Sequence, residues 1–260
     1  MATVFFNELS ELDPKILREV QFSSTIRRGS TGSGAKRVQE WLSLHGNRVV
    51  IDGQFGAATQ RAVATFQESN YLTANGTVDQ DTWEVLVQPL VNVLAQRLDQ
   101  SMPLRDAMLI YARAHLTEHP LEVGGANRGP WVRLYMNGFD GDDALWCAGF
   151  AVFVMRQAAD SMNASLPIAG SFSCDTLAQQ GKDAGMFLEE SQASADQLTP
   201  GSFFLVRKTP TDWTHTGLVE DVFEDSFTTI EGNTNDSGHR DGYEVCRRTR
   251  NYSNKDFVVL

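Results

Sequence analysis

The pattern of apolar residues changes once along this 260-residue chain, and that change restricts the fold more than any other feature. Before Pro200, apolar residues mostly recur at the spacing of helices. After Pro200, short β-branched and aromatic segments separated by Asp, Gly and Asn predict strands: FFLVR, HTGLVEDV, SFTTIEGN and FVVL. Helices followed by strands indicate an α+β fold, in which a helix packs on an antiparallel sheet.

Residues 26–90 predict a separate domain of three short helices. Asp-Gly and Asn-Gly pairs, which favour turns, separate its helical segments. Each segment places an aromatic residue on its apolar face, namely Trp41, Phe66 and Trp83. We therefore divide the chain into a leader (1–25), a three-helix domain (26–90), a helical connector (91–102) and a second domain (103–260).

Three other segments have patterns of their own. In the leader, Leu9, Leu12, Ile16 and Leu17 form one apolar stripe, which predicts a short helix. Residues 120–142 are rich in Gly and Asn and predict a long ordered loop. The almost wholly apolar segment from Ala144 to Ala159 predicts a buried helix.

Charge and composition exclude several classes of function. The formal net charge is −11, whereas nucleic-acid-binding proteins usually present a basic face. No run of about 18 apolar residues occurs, so we expect no membrane span. The chain has three cysteines, an odd number that does not suit a disulfide framework. Because it lacks an HExxH motif and clustered Cys/His pairs, we expect no metal site and no cofactor.

Cys147 is the candidate nucleophile. It stands at the start of the predicted buried helix, directly after Trp146. The free N–H groups and the dipole of a helix N-terminus stabilise a thiolate, and the same N–H groups can bind an oxyanion. The alternative is a small buried hydrophobic residue, which is the commonest role of a free cysteine. We assign that structural role to Cys174 and Cys246.

His215, Glu231 and Asn233 supply the polar partners that a cysteine nucleophile needs. His215 opens a predicted strand, and Glu231 and Asn233 lie at the end of the next one. Neighbouring antiparallel strands bring such residues together. A base next to the thiol, oriented by a carboxylate or an amide, is the arrangement of a cysteine hydrolase. The alternatives are a surface histidine and two solvated turn residues.

The second domain resembles the CHAP family of papain-like peptidoglycan hydrolases over roughly residues 103–260. The resemblance rests on WCAGF, on HTGLV after PGSFFLV, and on IEGNTN, in that order. It implies a papain-like fold with Cys147 as nucleophile, His215 as general base, Glu231 as third member and Asn233 as a supporting polar group. The segment GGANRGPWV is similar to a loop in one branch of the family. We therefore expect a substrate-binding set of Asn127, Arg128 and Trp146.

The first domain resembles the three-helix peptidoglycan-binding module over about residues 26–90. The resemblance rests on GSTGSGAKRVQEWL, IDGQFGAATQRAVATFQ and NGTVDQDTWEVL. Most of these residues build the turns and the core, so they identify the module without locating its groove. The resemblance implies that the chain binds the bacterial cell wall.

Together these features predict a peptidoglycan hydrolase that cuts an amide bond, either in the stem peptide or at the muramoyl-alanine link. A non-catalytic wall-binding or assembly protein and a cysteine protease acting on proteins are the alternatives. The N-terminus lacks a basic leader followed by an apolar core, so we expect no secretory signal. We expect a monomer made in the cytoplasm that reaches the wall or the periplasm by export or release. It would act as a phage endolysin or as an interbacterial toxin with an immunity protein or a secretion component as partner.

Overall fold

The computed structural model describes residues 13–98, 101–235 and 242–260. Within these ranges no helix is both long and apolar enough to cross a membrane. The elements in chain order are α1 (Pro14–Val20), α2 (Ser33–Leu44), α3 (Ala57–Ser69), α4 (Gln80–Leu94), α5 (Leu104–Glu118), α6 (Pro130–Tyr135), α7 (Cys147–Met162), α8 (Cys174–Asp183), β1 (Phe187–Leu188), β2 (Phe203–Thr209), β3 (Asp212–Val222), β4 (Ser226–Thr234), β5 (Glu244–Asn251) and β6 (Lys255–Val258).

The chain divides into two compact units. The first comprises Met1–Gln96 with Leu121–Asp142, and the second comprises Arg97–Pro120 with Asp143–Leu260. The division therefore runs through the segment 103–260 that the sequence predicts as one domain.

In the first unit, two buried glutamines hold the turns between the three predicted helices. On α2, the Gln39 side chain accepts from the Gly53 N–H (2.8 Å) and donates to the Asp52 carboxylate (2.8 Å). On α3, the Gln67 side chain accepts from the Gly76 N–H (2.9 Å) and donates to a backbone carbonyl in the next turn. Each Asp-Gly or Asn-Gly turn is thus fixed to the preceding helix, and its buried backbone groups are satisfied.

Arg133 ties the segment 121–142 to the rest of the first unit. Its guanidinium group donates to the carboxylates of Glu19 (2.9 Å), Glu40 (2.6 Å) and Asp140 (2.8 Å). The surrounding carboxylates outweigh the effect of burial and raise the pKa of Arg133. Because a charge buried in this way must be paired, the three acidic residues fix the position of this segment.

The structure agrees only in part with the predicted leader helix and with the predicted loop at 120–142. The leader contains α1 at Pro14–Val20, whereas residues 1–12, with Leu9 and Leu12, lie outside the described residues. The segment 120–142 is not wholly a loop, since it includes the six-residue helix α6. Pro130 starts that helix at a position where its missing N–H costs nothing, and Trp131 packs edge-on against Trp41.

The second unit is a six-stranded antiparallel sheet with helices against it, which confirms the predicted α+β class. The strand order is β1-β6-β2-β3-β4-β5. Helix α7 packs on the central strands β3 and β4, and α5 packs on α7. The four predicted strand segments correspond to β2, β3, β4 and β6. Two strands were not predicted. Strand β1 has only two residues. Strand β5 has the sequence EVCRRTRN, and its five consecutive polar residues after the cysteine give no strand pattern.

Candidate active site

Cys147 is the first residue of α7, which begins three residues after the predicted start at Ala144. Its side chain is almost fully buried. The residue before it, Trp146, is the N-cap, so the N–H of Cys147 belongs to the first turn and has no partner within the helix. The thiol therefore lies beside unpaired backbone donors and the positive end of the α7 dipole.

His215 lies on β3 and its ring is buried. Its Nε2–H donates to the Glu231 carboxylate at 2.8 Å. Among the described residues the buried Nδ1 has no hydrogen-bond partner. Because Nε2 is engaged by Glu231, Nδ1 is the nitrogen left for a thiol. The structure thus pairs the predicted base with the predicted carboxylate, and Cys147 acts on the charge of the same ring.

Glu231 is fully buried on β4 and is held by two further residues. Arg250 on β5 donates from Nε and Nη2 to the two carboxylate oxygens, each at 2.5 Å. The Thr229 hydroxyl donates to one of the same oxygens at 2.5 Å. Burial alone would raise the pKa of Glu231, but Arg250 and His215 outweigh it and lower that pKa to about 2. The carboxylate therefore stays ionised at neutral pH.

The charges in the site favour a thiolate–imidazolium pair. Burial disfavours the charged form of His215, but Cys147 and Glu231 outweigh it and raise the pKa of His215 to about 9. The Cys174 thiol and the His215 ring hold the pKa of Cys147 well below its usual value, although burial opposes them. Both shifts favour a thiolate on Cys147 and a protonated ring on His215.

Asn233 supports the start of α7. With its amide oriented to satisfy both neighbours, the oxygen accepts from the Trp146 N–H (3.0 Å) and the nitrogen donates to the Gly242 carbonyl (2.7 Å). Asn233 has φ +53°, a left-handed conformation that Asn adopts more readily than most residues. This contact fixes the turn of chain directly before the nucleophile.

The glycines of the HTG and EGN motifs let the elements of the site approach closely. A Cβ at Gly217 would lie 2.9 Å from the Glu231 side chain. A Cβ at Gly232 would lie 2.6 Å from Phe150 on α7 and 2.8 Å from the Trp146 ring. Any larger residue at these positions would push α7 or the carboxylate away from its place, so both glycines have a steric role.

Cys174 is the first residue of α8 and is buried. Its thiol is one of the groups that lower the pKa of Cys147. The sequence alone assigns Cys174 a structural role, because it shows no set of polar partners for it. A Cys-Asp pair after an N-capping serine was the available signal, but the sequence does not show where α8 packs.

The three predicted substrate-binding residues lie in different surroundings. Asn127 and Arg128 belong to the first unit, where the Asn127 side chain donates to the Asp142 carbonyl (3.1 Å) and Arg128 pairs with the Asp142 carboxylate (3.2 Å). Trp146 is fully buried in the second unit. Contact of these three residues with a substrate stays a prediction.

Two exposed apolar side chains lie close to Cys147 and Cys174 in the sequence. Leu145 is 46% exposed two residues before Cys147, and Phe172 is 45% exposed two residues before Cys174. Sequence reasoning did not single them out, because exposure depends on the fold.

Within the described ranges, no group of three His, Cys, Asp or Glu side chains is arranged to hold a metal ion.

Residues 31–86 match one family model. Its description is "Putative peptidoglycan binding domain", and the matched residues include α2, α3 and the first half of α4. The match lies within the segment 26–90 and confirms the predicted peptidoglycan-binding module there.

Two solved structures are similar to parts of the chain. The crystal structure of the Burkholderia AP3 phage endolysin is 29% identical, with 41% of this chain and 41% of that chain covered and a TM-score of 0.25. A fused Zn-dependent amidase/peptidase/peptidoglycan-binding domain-containing protein from Clostridium acetobutylicum is 15% identical, with 88% of this chain and 62% of that chain covered and a TM-score of 0.25. The chain thus spans less than two thirds of either protein. A search of curated proteins finds no match.

Proposed function

We propose that this protein is a peptidoglycan hydrolase that cuts an amide bond with Cys147 as nucleophile. The observation that carries the proposal is the buried His215–Glu231 hydrogen bond, together with the buried Cys147 at the start of α7, whose thiol acts on the charge of His215. Residues 31–86, which match the peptidoglycan-binding family model, supply the substrate class. Peptidoglycan contains amide bonds in its stem peptide and at the muramoyl-alanine link, and either could be the target.

The first half of the reaction forms an acyl-enzyme. The Cys147 thiolate attacks the amide carbonyl carbon, and the negative charge moves to the carbonyl oxygen. The Cys147 N–H, which has no partner within the helix, donates to that oxygen. The amide nitrogen cannot leave as an anion, so the His215 imidazolium donates its Nδ1 proton to it and the amine departs.

The second half regenerates the enzyme. His215, now neutral, takes a proton from a water molecule, and the resulting hydroxide attacks the thioester carbonyl. The thiolate leaves and the product is a carboxylate. Throughout, Glu231 holds the imidazole by Nε2 and favours its charged form, while Arg250 and Thr229 keep Glu231 in place. Glu231 itself stays ionised.

We propose two routes by which the protein reaches its substrate. As a phage endolysin it would be released to the wall by a membrane pore. As an interbacterial effector it would be delivered into a neighbouring cell, and its producer would hold an immunity protein. The genes beside the coding sequence separate the two routes: a holin gene supports the first, and an immunity gene with secretion components supports the second.

The test is digestion of purified sacculi, with mass spectrometry of the released fragments. We expect muropeptides whose new ends define the amide bond that is cut. The matched control is Cys147→Ala, which should release none while retaining the circular dichroism and the melting temperature of the wild type. Binding without release by the wild type would support the non-catalytic alternative, and cleavage of an unfolded protein substrate but not of sacculi would support a protease.

A further inference from the structure

We propose that a pocket in the first unit binds the C-terminal alanine of a peptidoglycan stem peptide, with Arg18 and Arg37 holding its carboxylate. This inference rests on the proposed function, because it takes peptidoglycan as the substrate. The pocket is lined by residues of α1, α2 and α4 and of the segment between α1 and α2. Its lining includes Arg18, Phe22, Ile26, Gly34, Arg37 and Trp83.

Two arginines give the pocket its positive charge. The Arg18 side chain is exposed, and its guanidinium group forms no ion pair with any described residue. Arg37 donates from Nε and Nη2 to one oxygen of Glu19, at 3.2 and 3.0 Å. These two bonds fix the plane of the Arg37 guanidinium and leave its Nη1 without a partner in the described ranges. The planar guanidinium group matches the geometry of a carboxylate, so the two side chains are suited to bind one.

The charge of the surrounding segment also favours an anion. The whole chain has a formal net charge of −11, yet residues 13–37 contain six basic residues and only two acidic ones. Among the described residues that line the pocket, none is acidic. A local excess of positive charge in an acidic protein attracts an anionic group to this place rather than to the rest of the surface.

The apolar part of the lining limits the size of the ligand. The indole N–H of Trp83 donates to the Val20 carbonyl at 2.8 Å, so the only polar atom of that ring is already engaged. Phe22 and Ile26 add further apolar surface. The volume of the pocket is about 110 Å³, whereas pockets for drug-sized ligands measure roughly 300–1,000 Å³. The pocket therefore suits one small residue, and the carboxylate and methyl group of a terminal alanine match its cations and its apolar wall.

Gly34 keeps the pocket open. A Cβ at this position would lie 3.2 Å from Cδ1 of Ile26, which also lines the pocket. Gly34 is the second residue of α2 and its φ is not in the left-handed region, so the helix accepts a larger residue there. Gly34→Leu therefore fills the pocket without changing its charge.

The test is isothermal titration calorimetry of the full chain carrying Cys147→Ala, so that no peptide is cut. The probes are the synthetic peptide L-Ala-γ-D-Glu-L-Lys-D-Ala-D-Ala and the same peptide with a C-terminal amide. We expect the amide to bind about tenfold more weakly, because it loses hydrogen bonds between charged groups. Adding Arg18→Gln should remove this difference, and adding Gly34→Leu should weaken binding of the acid. Arg61→Gln makes the same change of charge at an exposed position of α3 outside the pocket and should alter neither affinity.

Equal affinities for the acid and the amide would overturn the proposal, as would the absence of binding by either peptide. A difference that persists in Arg18→Gln would place the carboxylate elsewhere, and one that Arg61→Gln also abolishes would reduce it to net charge; both results contradict the proposal. Because Arg18 has no ion pair to lose among the described residues, its variant should keep the melting temperature of the parent. These titrations need no turnover, so a wild type that releases no muropeptides would sink the proposed function and leave their outcome unchanged.

Discussion

Arg250 binds both carboxylate oxygens of Glu231, with Nε and Nη2 each at 2.5 Å. Its guanidinium carbon also lies 5.0 Å from the centre of the Phe204 ring, which fixes the plane of the group. A bidentate arginine–carboxylate pair is directional as well as strong. The Arg250–Glu231 pair, which joins β5 to β4, therefore fixes the orientation of the His215 imidazole.

The first prediction concerns that pair. Arg250→Ala removes the bidentate partner of the fully buried Glu231 and leaves it with His215 and Thr229, so we expect the free energy of unfolding to fall by about 3 kcal/mol. Activity per folded molecule should also fall, because Glu231 can then rotate or take up a proton. Urea denaturation and muropeptide release measure the two effects.

Arg247→Ala is the matched control for Arg250, since Arg247 lies on the same strand and also binds a carboxylate, that of Glu220. Glu220 retains Arg113 as a partner. We expect this variant to keep its activity per folded molecule. If it loses as much activity as Arg250→Ala, the pair with Glu231 has no special role.

The second prediction concerns the dependence of activity on pH. The leaving amine needs a proton from His215, whose pKa is raised to about 9. Activity should therefore fall as the pH rises through about 9, where the imidazolium is lost. Glu231 is one cause of that raised pKa, so Glu231→Gln should move this alkaline limb to lower pH. The profile of kcat/KM against pH tests both statements, and an alkaline limb that does not move in Glu231→Gln would contradict them.

The third prediction concerns Asn233. Asn233→Ala removes the acceptor for the Trp146 N–H and the donor to the Gly242 carbonyl, which should cost about 1–3 kcal/mol of stability. Asn233→Gly removes the same bonds but tolerates the positive φ, so it should be more stable than the alanine variant by about 1 kcal/mol. Denaturant titration of both variants separates the cost of the lost hydrogen bonds from the cost of the positive φ. Equal stability of the two variants would show that the backbone conformation contributes nothing.

The fourth prediction concerns the first unit. Gln67→Ala leaves the Gly76 N–H without its buried partner, and we expect a loss of about 2 kcal/mol and weaker binding to sacculi. Gln88→Ala is the control, because the Gln88 amide donates to the exposed side of α4, at Asn92. Sedimentation with sacculi and thermal unfolding follow the two properties. Unchanged binding by a destabilised Gln67→Ala would show that the turn does not shape the wall-binding surface.

The sequence predicts the parts of the site that lie within its own motifs. His215 and Glu231 come together because they lie on the neighbouring strands β3 and β4, and this pairing follows from chain order alone. The buried helix that carries Cys147 follows from an apolar run after a polar loop, although its predicted start at Ala144 is three residues too early. The three-helix module follows from turn signals and helical spacing, with no need of long-range contacts.

The residues that the sequence did not reveal depend on packing between distant elements. Arg250 reaches Glu231 because β5 pairs with β4, and the run of polar residues in β5 gives no strand signal. The helix that begins at Cys174 lies against β3 because the Asp175 side chain accepts a hydrogen bond from the Trp213 N–H. Neither contact is encoded in local spacing, so each required the structure.

The most direct test of the central claim is to identify the residue that carries the acyl group during turnover. Sacculi mixed with the protein and quenched in acid should yield a tryptic peptide containing Cys147 that carries the mass of an acyl fragment of the wall. Cys147→Ala should yield neither this adduct nor soluble muropeptides. Release of muropeptides by Cys147→Ala at the rate of the wild type would contradict the account, because the wall would then be cut without this thiol.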